Sequence, residues 1–189
     1  EYDDYSPCVS MDGSMLMFTS NRENGKVSKS GYDWDHDIYV SYLENGEFTI
    51  PKNMGEQINT SDNETTGMLS YDGTKLLIYK EVDGQFDIYE STRKGSKWIT
   101  AVSFSPQINT KDNQTFCSFN AKENKLYYIN DRKKGEGNYG NDIYVSQVMD
   151  EKTRKYEFPN SAGNAVNTKF NEGSVYMHPK GDLMFFSSE

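Results

Sequence analysis

Cysteine is scarce: Cys8 and Cys117 are the two in a chain of 189 residues. They lie far apart, with no CxxC spacing and no His beside them, so two free or half-buried thiols are expected, and spacing does not decide whether they pair. Proline is also rare, at five residues, and no long low-complexity tract occurs, which argues against a disordered chain. No apolar run approaches the roughly 18 residues that a membrane helix requires. Bases are outnumbered, 20 Lys and Arg against 29 Asp and Glu, for a net charge of −9. Phosphate-backbone binding is driven by Lys and Arg, so nucleic acid and anionic membrane surfaces are poor partners. There are two histidines, His36 and His178, too distant in sequence to suggest zinc. The opening, "EYDDYSP", carries no signal peptide or lipid-attachment Cys and falls inside a repeat, which reads as a processed or trimmed start.

What is abundant is aromatic. Phe, Trp and Tyr make up 14% of the chain, with 14 Tyr and 10 Phe. Such residues suit a pleated, half-buried surface, so the composition leans to β-structure.

The chain repeats itself. "DIY" occurs in "HDIYVS", "FDIYES" and "NDIYVS", placing Asp37, Asp87 and Asp142 at one repeat position. A second word follows each: "EQINTSDNE", "PQINTKDNQ" and "NAVNTKFNE". A third comes next, as in "LSYDGTKLLIY", and is matched by "VSMDGSMLMFT", "SFNAKENKLYYIN" and "MHPKGDLMFFS". The repeats run about 1–60, 61–110, 111–168 and 169–189, the last incomplete. In the second, strands are expected over 65–70, 75–80, 86–92 and 97–103, with tight turns at Asp72-Gly73 and Asp83-Gly84. No window holds a 3.6-residue period, so helices should be few or absent.

Four-stranded antiparallel repeats of this length predict an all-β fold, a β-propeller of four-stranded blades in which neighbours bury each other's faces. Matched apolar positions are Leu16, Leu76, Leu126 and Met184, and Phe18, Ile78, Tyr128 and Phe186. About 3.5 blades are present where rings typically close with about four to eight. The 1–189 chain is therefore expected to be a partial propeller, a fragment of a larger ring.

The words "PKNMGEQINT" (51–60), Asn63, Glu64 and Asp72-Gly73, with "DIY" after them, resemble the TolB-type, WD-like propeller repeat. The likeness is strongest to the propeller of PorE-type envelope lipoproteins of the OmpA family, associated with type IX secretion. It spans essentially the whole chain. Departures are Lys122-Glu123 in place of Asp-Gly, and "YDWDH" in place of a glycine-rich segment before "DIY". The resemblance implies a periplasmic, outer-membrane-associated scaffold that contacts envelope proteins, among them secretion-machinery components. Peptidoglycan binding would need a domain outside this chain.

Candidate chemistry is thin. Asp33, Asp35 and Asp37 alternate, but an EF-hand loop needs a Gly after the third acid and a distal Glu, and Asp37 is instead followed by a strand. Asp37, Asp87 and Asp142 read as structural repeat residues, their carboxylates taking backbone N–H bonds at a turn. A Ca²⁺ ion on Asp33 and Asp35 is the remaining metal reading, and otherwise no cofactor is expected. No G-x-S-x-G elbow is present and the sialidase Asp box is not matched. No catalytic residue is assigned and the chain reads as a non-enzyme.

The connection between second and third strands is long in repeats one and three, at 21–36 and 131–141, and short in repeat two. Variable loops on a rigid scaffold commonly carry recognition. The candidate contacts are Tyr32, Trp34, Arg22, Arg132 and Tyr139, aromatic and Arg types that dominate interfaces. For Arg22 and Arg132 the competing reading is a brace for the loops. The alternative function is a propeller-type enzyme acting on glycans or peptides, its site completed by further blades.

Overall fold

The computed structural model describes residues 2–23, 35–131, 140–150, 152–153 and 155–189. Among them there is no helix; the chain forms three five-stranded antiparallel sheets and a two-stranded one. The first sheet holds β1 (Asp4–Val9), β2 (Met15–Ser20), β3 (Asp37–Glu44), β4 (Glu47–Phe48) and β5 (Lys52–Asn53). The second holds β6 (Glu64–Leu69), β7 (Lys75–Val82), β8 (Gln85–Lys94), β9 (Lys97–Trp98) and β10 (Val102–Ser103). The third holds β11 (Gln114–Phe119), β12 (Lys125–Asn130), β13 (Asp142–Asp150), β14 (Lys155–Tyr156) and β15 (Asn160–Ser161). Strands β16 (Glu172–Met177) and β17 (Met184–Ser188) make the fourth. The chain divides into two compact units, residues 1–84 with 89–102, and residues 85–88 with 103–189.

Each large sheet is a meander whose expected fourth strand is split in two. The third strand pairs first with β4, β9 or β14, then with β5, β10 or β15. The break follows from the sequence: Pro51 and Pro159 sit in it, and proline cannot donate to a ladder. The last carbonyl before each break is taken by the Ser of the "DIYxS" word. Ser41 Oγ donates to the Thr49 carbonyl, Ser91 to Ile99 and Ser146 to Glu157. All three serines are buried, where an unmet carbonyl would be costly.

The first two strands of each sheet join through one turn device. Asp12 Oδ1 accepts from Ser10 Oγ (2.6 Å), Ser14 N (3.0 Å) and Ser14 Oγ (2.7 Å). Asp72 repeats this with Ser70 and Thr74. These bonds, Ser10 foremost, hold the Asp12 carboxyl down at about 2. Gly13 and Gly73 follow at φ +71° and +69°, the left-handed region where a side chain strains. In the third sheet Asn120 Oδ1 takes the Asn124 and Lys125 amides instead, and Glu123 occupies the glycine's place at φ 52°. Asp37 begins β3, is 1% exposed, and its Oδ2 accepts from Asn53 Nδ2 at 2.7 Å.

In the first unit, Met15, Met17, Ile38 and Val40 pack with Ile58, Leu69, Leu76 and Ile78. Two sheets meet here face to face, as propeller blades do. Bonds between them reinforce the contact: Thr66 N donates to Thr19 Oγ1 (2.8 Å) and Leu69 N to Cys8 Sγ (3.2 Å). In the second unit Ile129, Ile143 and Val175 form the corresponding cluster, and Met177 N donates to Ser118 Oγ at 2.9 Å. Leu76, Ile78, Leu126 and Tyr128, expected inside, are fully buried. Leu16 is only half-buried and Phe186 is 40% exposed. For Leu16 the reason is alternation: β2 turns Met15 and Met17 to the second sheet, so Leu16 points the other way. Neither Cys8 nor Cys117 is in a disulfide, and burial pushes the Cys8 thiol up.

Candidate binding face

The two long connections leave from rigid stems, and the "INTxxN" word builds those stems. Its first Asn clamps a third strand near its start, by both backbone groups of one residue. Ile38 N donates to Asn59 Oδ1 (2.9 Å) while Asn59 Nδ2 donates to Ile38 O (2.9 Å). Asn109 grips Ile88 the same way (3.1 and 2.7 Å), and Asn167 grips Ile143 (2.9 and 2.7 Å). The three isoleucines are 0% exposed.

The second Asn of the word holds the chain as it enters the third strand. Asn63, Asn113 and Asn171 accept from the amides of His36 (3.1 Å), Phe86 (2.8 Å) and Asn141 (3.1 Å). Each also donates to an acid at the end of, or just beyond, the second strand of the next sheet: Glu81 (2.8 Å), Asp131 (2.6 Å) and Glu189 (2.8 Å). One side chain therefore ties the entry to one blade's third strand to the exit from the next blade's second strand. The word was legible as a repeat marker, but these clamping roles were not read from it. The signal was there, since an Asn recurring beside a buried strand has both a donor and an acceptor to offer a backbone.

The word ends in an acid or its amide, and this closes the loop. Glu64 is fully buried; it accepts from Thr60 N (2.9 Å) and Thr60 Oγ1 (2.6 Å), with Lys80 Nζ at 3.6 Å. Glu172 takes the same bonds from Thr168 at 3.2 and 2.9 Å. Gln114 accepts from Thr110 N and donates to Thr110 Oγ1. Burial pushes the Glu64 carboxyl up to about 7, against the opposing pull of the Thr60 bonds and Lys80.

Of the candidate contacts, Arg22 lies within the described residues. Its guanidinium reaches both oxygens of Asp4 (2.8 and 2.9 Å), and its Nε donates to Ser20 Oγ (3.0 Å). It lies 5.0 Å from the ring centroids of both Phe18 and Tyr39. Those contacts make Arg22 a brace at the foot of the loop. On the opposite leg, Tyr5 Oη and His36 Nδ1 are 2.9 Å apart, and Asp35 is buried at 1% exposure. Tyr32, Asp33, Trp34, Arg132 and Tyr139 fall outside the described residues. Among the described residues no group of three or more His, Cys, Asp or Glu is placed to hold a metal ion.

No family model and no curated protein sequence matches the chain. Solved structures do. TolB from Acinetobacter baumannii matches over 97% of this chain at 12% identity and a TM-score of 0.60. A prolyl endopeptidase, from work on two such enzymes, matches over 99% at 14% identity and a TM-score of 0.61. A puromycin-hydrolysing peptidase from Mycobacterium tuberculosis matches over 92% at 13% identity and a TM-score of 0.52. The chain spans 37% of the TolB chain and 23% of each peptidase chain. At such identities the likeness concerns the fold: four blade-like antiparallel sheets with the architecture of a TolB-like β-propeller.

Proposed function

We propose that this chain is a non-enzymatic protein-interaction module of the bacterial cell envelope, part of a periplasmic, outer-membrane-associated complex. The observation that carries this reading is how the repeated polar residues are spent. Asn59, Asn63, Glu64, Ser41 and their repeat mates bond to backbone or to neighbouring side chains within the blades. They hold strands and loop stems rather than converging on a pocket. What varies between blades is the connection those stems carry, the part of a scaffold where recognition resides. Tyr32, Trp34 and Tyr139 are its proposed contacts, with Arg132. The envelope setting, and the finer assignment to type IX secretion, rest on the repeat words' likeness to PorE-type proteins.

The second reading is an enzyme acting on peptides or glycans, favoured by the two peptidases among the similar folds. One experiment separates the two. The immobilised chain is exposed to solubilised envelope protein, and the same preparation is assayed against peptide and glycan libraries. Retention of a defined protein, lost in Tyr32→Ser/Trp34→Ser with an unchanged melting temperature, supports the module. Turnover of a library member by the chain, with no such retention, overturns it.

A further inference from the structure

The first unit carries a groove of about 800 Å³. Its walls come from the outer pieces of both sheets, β5 and β9, and from the segment after each. The floor is apolar and fixed: Met54 and Trp98 pack against the buried cluster around Ile38 and Leu76, with Val40 between them. The lip is cationic: Lys52, Lys94 and Lys97 line it, all exposed, and among the described residues no carboxylate lines it. In a chain with nine more acids than bases, that is a local inversion of sign.

We propose that this groove binds an extended peptide segment of a partner protein in which acidic residues alternate with large apolar ones. Alternation places successive side chains on opposite sides of an extended strand. The apolar set then meets Met54, Trp98 and Val40, while the carboxylates reach the three lysines at the lip. The volume lies in the range that holds a few side chains. Gln57 and Thr100 on the walls supply partners for a peptide backbone. A polyanionic glycan fits less well, because a hydroxyl-rich chain gains nothing from an apolar floor. The inference rests on the reading of the chain as a binding module, but places a second partner site away from the loops.

The probe is a capped twelve-residue peptide alternating Glu with Leu and Phe, titrated into the whole chain by calorimetry. A second peptide carries Lys at each Glu position, and polygalacturonate serves as the glycan. Expected are binding of the Glu peptide about tenfold or more tighter than the Lys peptide, and a comparable loss in Lys52→Glu/Lys97→Glu. Both positions are exposed, so the double variant should keep its melting temperature; should it not, Lys94→Gln with salt dependence of binding replaces it. Equal affinity for both peptides, no loss in the variants, tighter binding of polygalacturonate, or self-association that blocks the peptide would each overturn the proposal. Groove and loops are separable: a loop-dependent partner with no Glu-peptide binding removes the groove and leaves the module. Lysine-dependent peptide binding with no loop-dependent partner does the reverse.

Discussion

Asn59 holds Ile38 by both its backbone groups, N–H to Oδ1 and carbonyl to Nδ2, each at 2.9 Å. The contact joins the loop that leaves one blade to the buried third strand of that same blade. It recurs at Asn109 and Asn167, which makes it the main polar fastening of the repeat. Replacing Asn59 by Ala strands the buried Ile38 N–H, at about 1–3 kcal/mol, while the Ile38 carbonyl keeps the Met54 amide. A loss of about 1–3 kcal/mol in urea unfolding is expected for Asn59→Ala, and a similar loss for Asn167→Ala. A cost under about 0.5 kcal/mol would show that water replaces the amide.

Glu64 gives a pH dependence with a definite sign. Its folded pKa is raised to about 7, above the 4.5 of an ordinary glutamate carboxyl. The folded state therefore holds the proton more tightly. Stability from this group is complete below about pH 4.5, falls as pH rises through 7, and then stays flat. The span is of order 3 kcal/mol. Gln114 shows that a neutral amide satisfies the same loop. Glu64→Gln should fold, and should flatten this stretch of the stability profile. A Glu64→Gln profile as steep as the parent's between pH 4.5 and 7 would assign the slope elsewhere.

Glu123 sits at φ 52° in a turn where Gly13 and Gly73 take +71° and +69°. A side chain in that region costs about 1–2 kcal/mol, partly offset by glycine's greater freedom when unfolded. Glu123→Gly is expected to stabilise by about 0.5–1 kcal/mol, and Gly73→Ala to destabilise by a like amount. Thermal melts of the pair check both signs.

Gly67 and Gly173 both lie in the first strands of their blades, at different repeat positions, and they should respond differently. A Cβ at Gly67 would lie 2.6 Å from the Leu77 carbonyl oxygen, which is backbone and cannot move aside. At Gly173 the nearest atom is Ser187 Oγ, at 2.7 Å, which can rotate away. Gly67→Ala is expected to cost about 2–3 kcal/mol, the scale of overpacking a core, and Gly173→Ala under about 1. Equal costs would contradict the local geometry.

Most of the fold was legible because its signals are local and repeated. Asp-Gly turns, alternating runs and the "DIY" strand each fix a short piece, and repetition fixes how the pieces stack. The split outer strand was less legible. Pro51 and Pro159 signalled a break, but Ala101 stands there in the second sheet, and the Ser41–Thr49 bond that heals the break needs the fold to exist. For Arg22 a brace was one of two readings the sequence allowed, but its partners were not legible, since Asp4, Phe18 and Tyr39 meet it only across strands. The Lys52, Lys94 and Lys97 groove was invisible, because residues some forty positions apart share it only after two blades pack.

The central claim is that the long connections carry a partner site of their own, separate from the groove of the first unit. Photo-crosslinking residues placed singly at positions 32, 34 and 139, and at the exposed Phe158 (80%) between β14 and β15, test it in the native envelope. The account predicts one defined protein adduct from the three loop positions and none from position 158. Adducts from position 158 alone, or equally from all four, would contradict it.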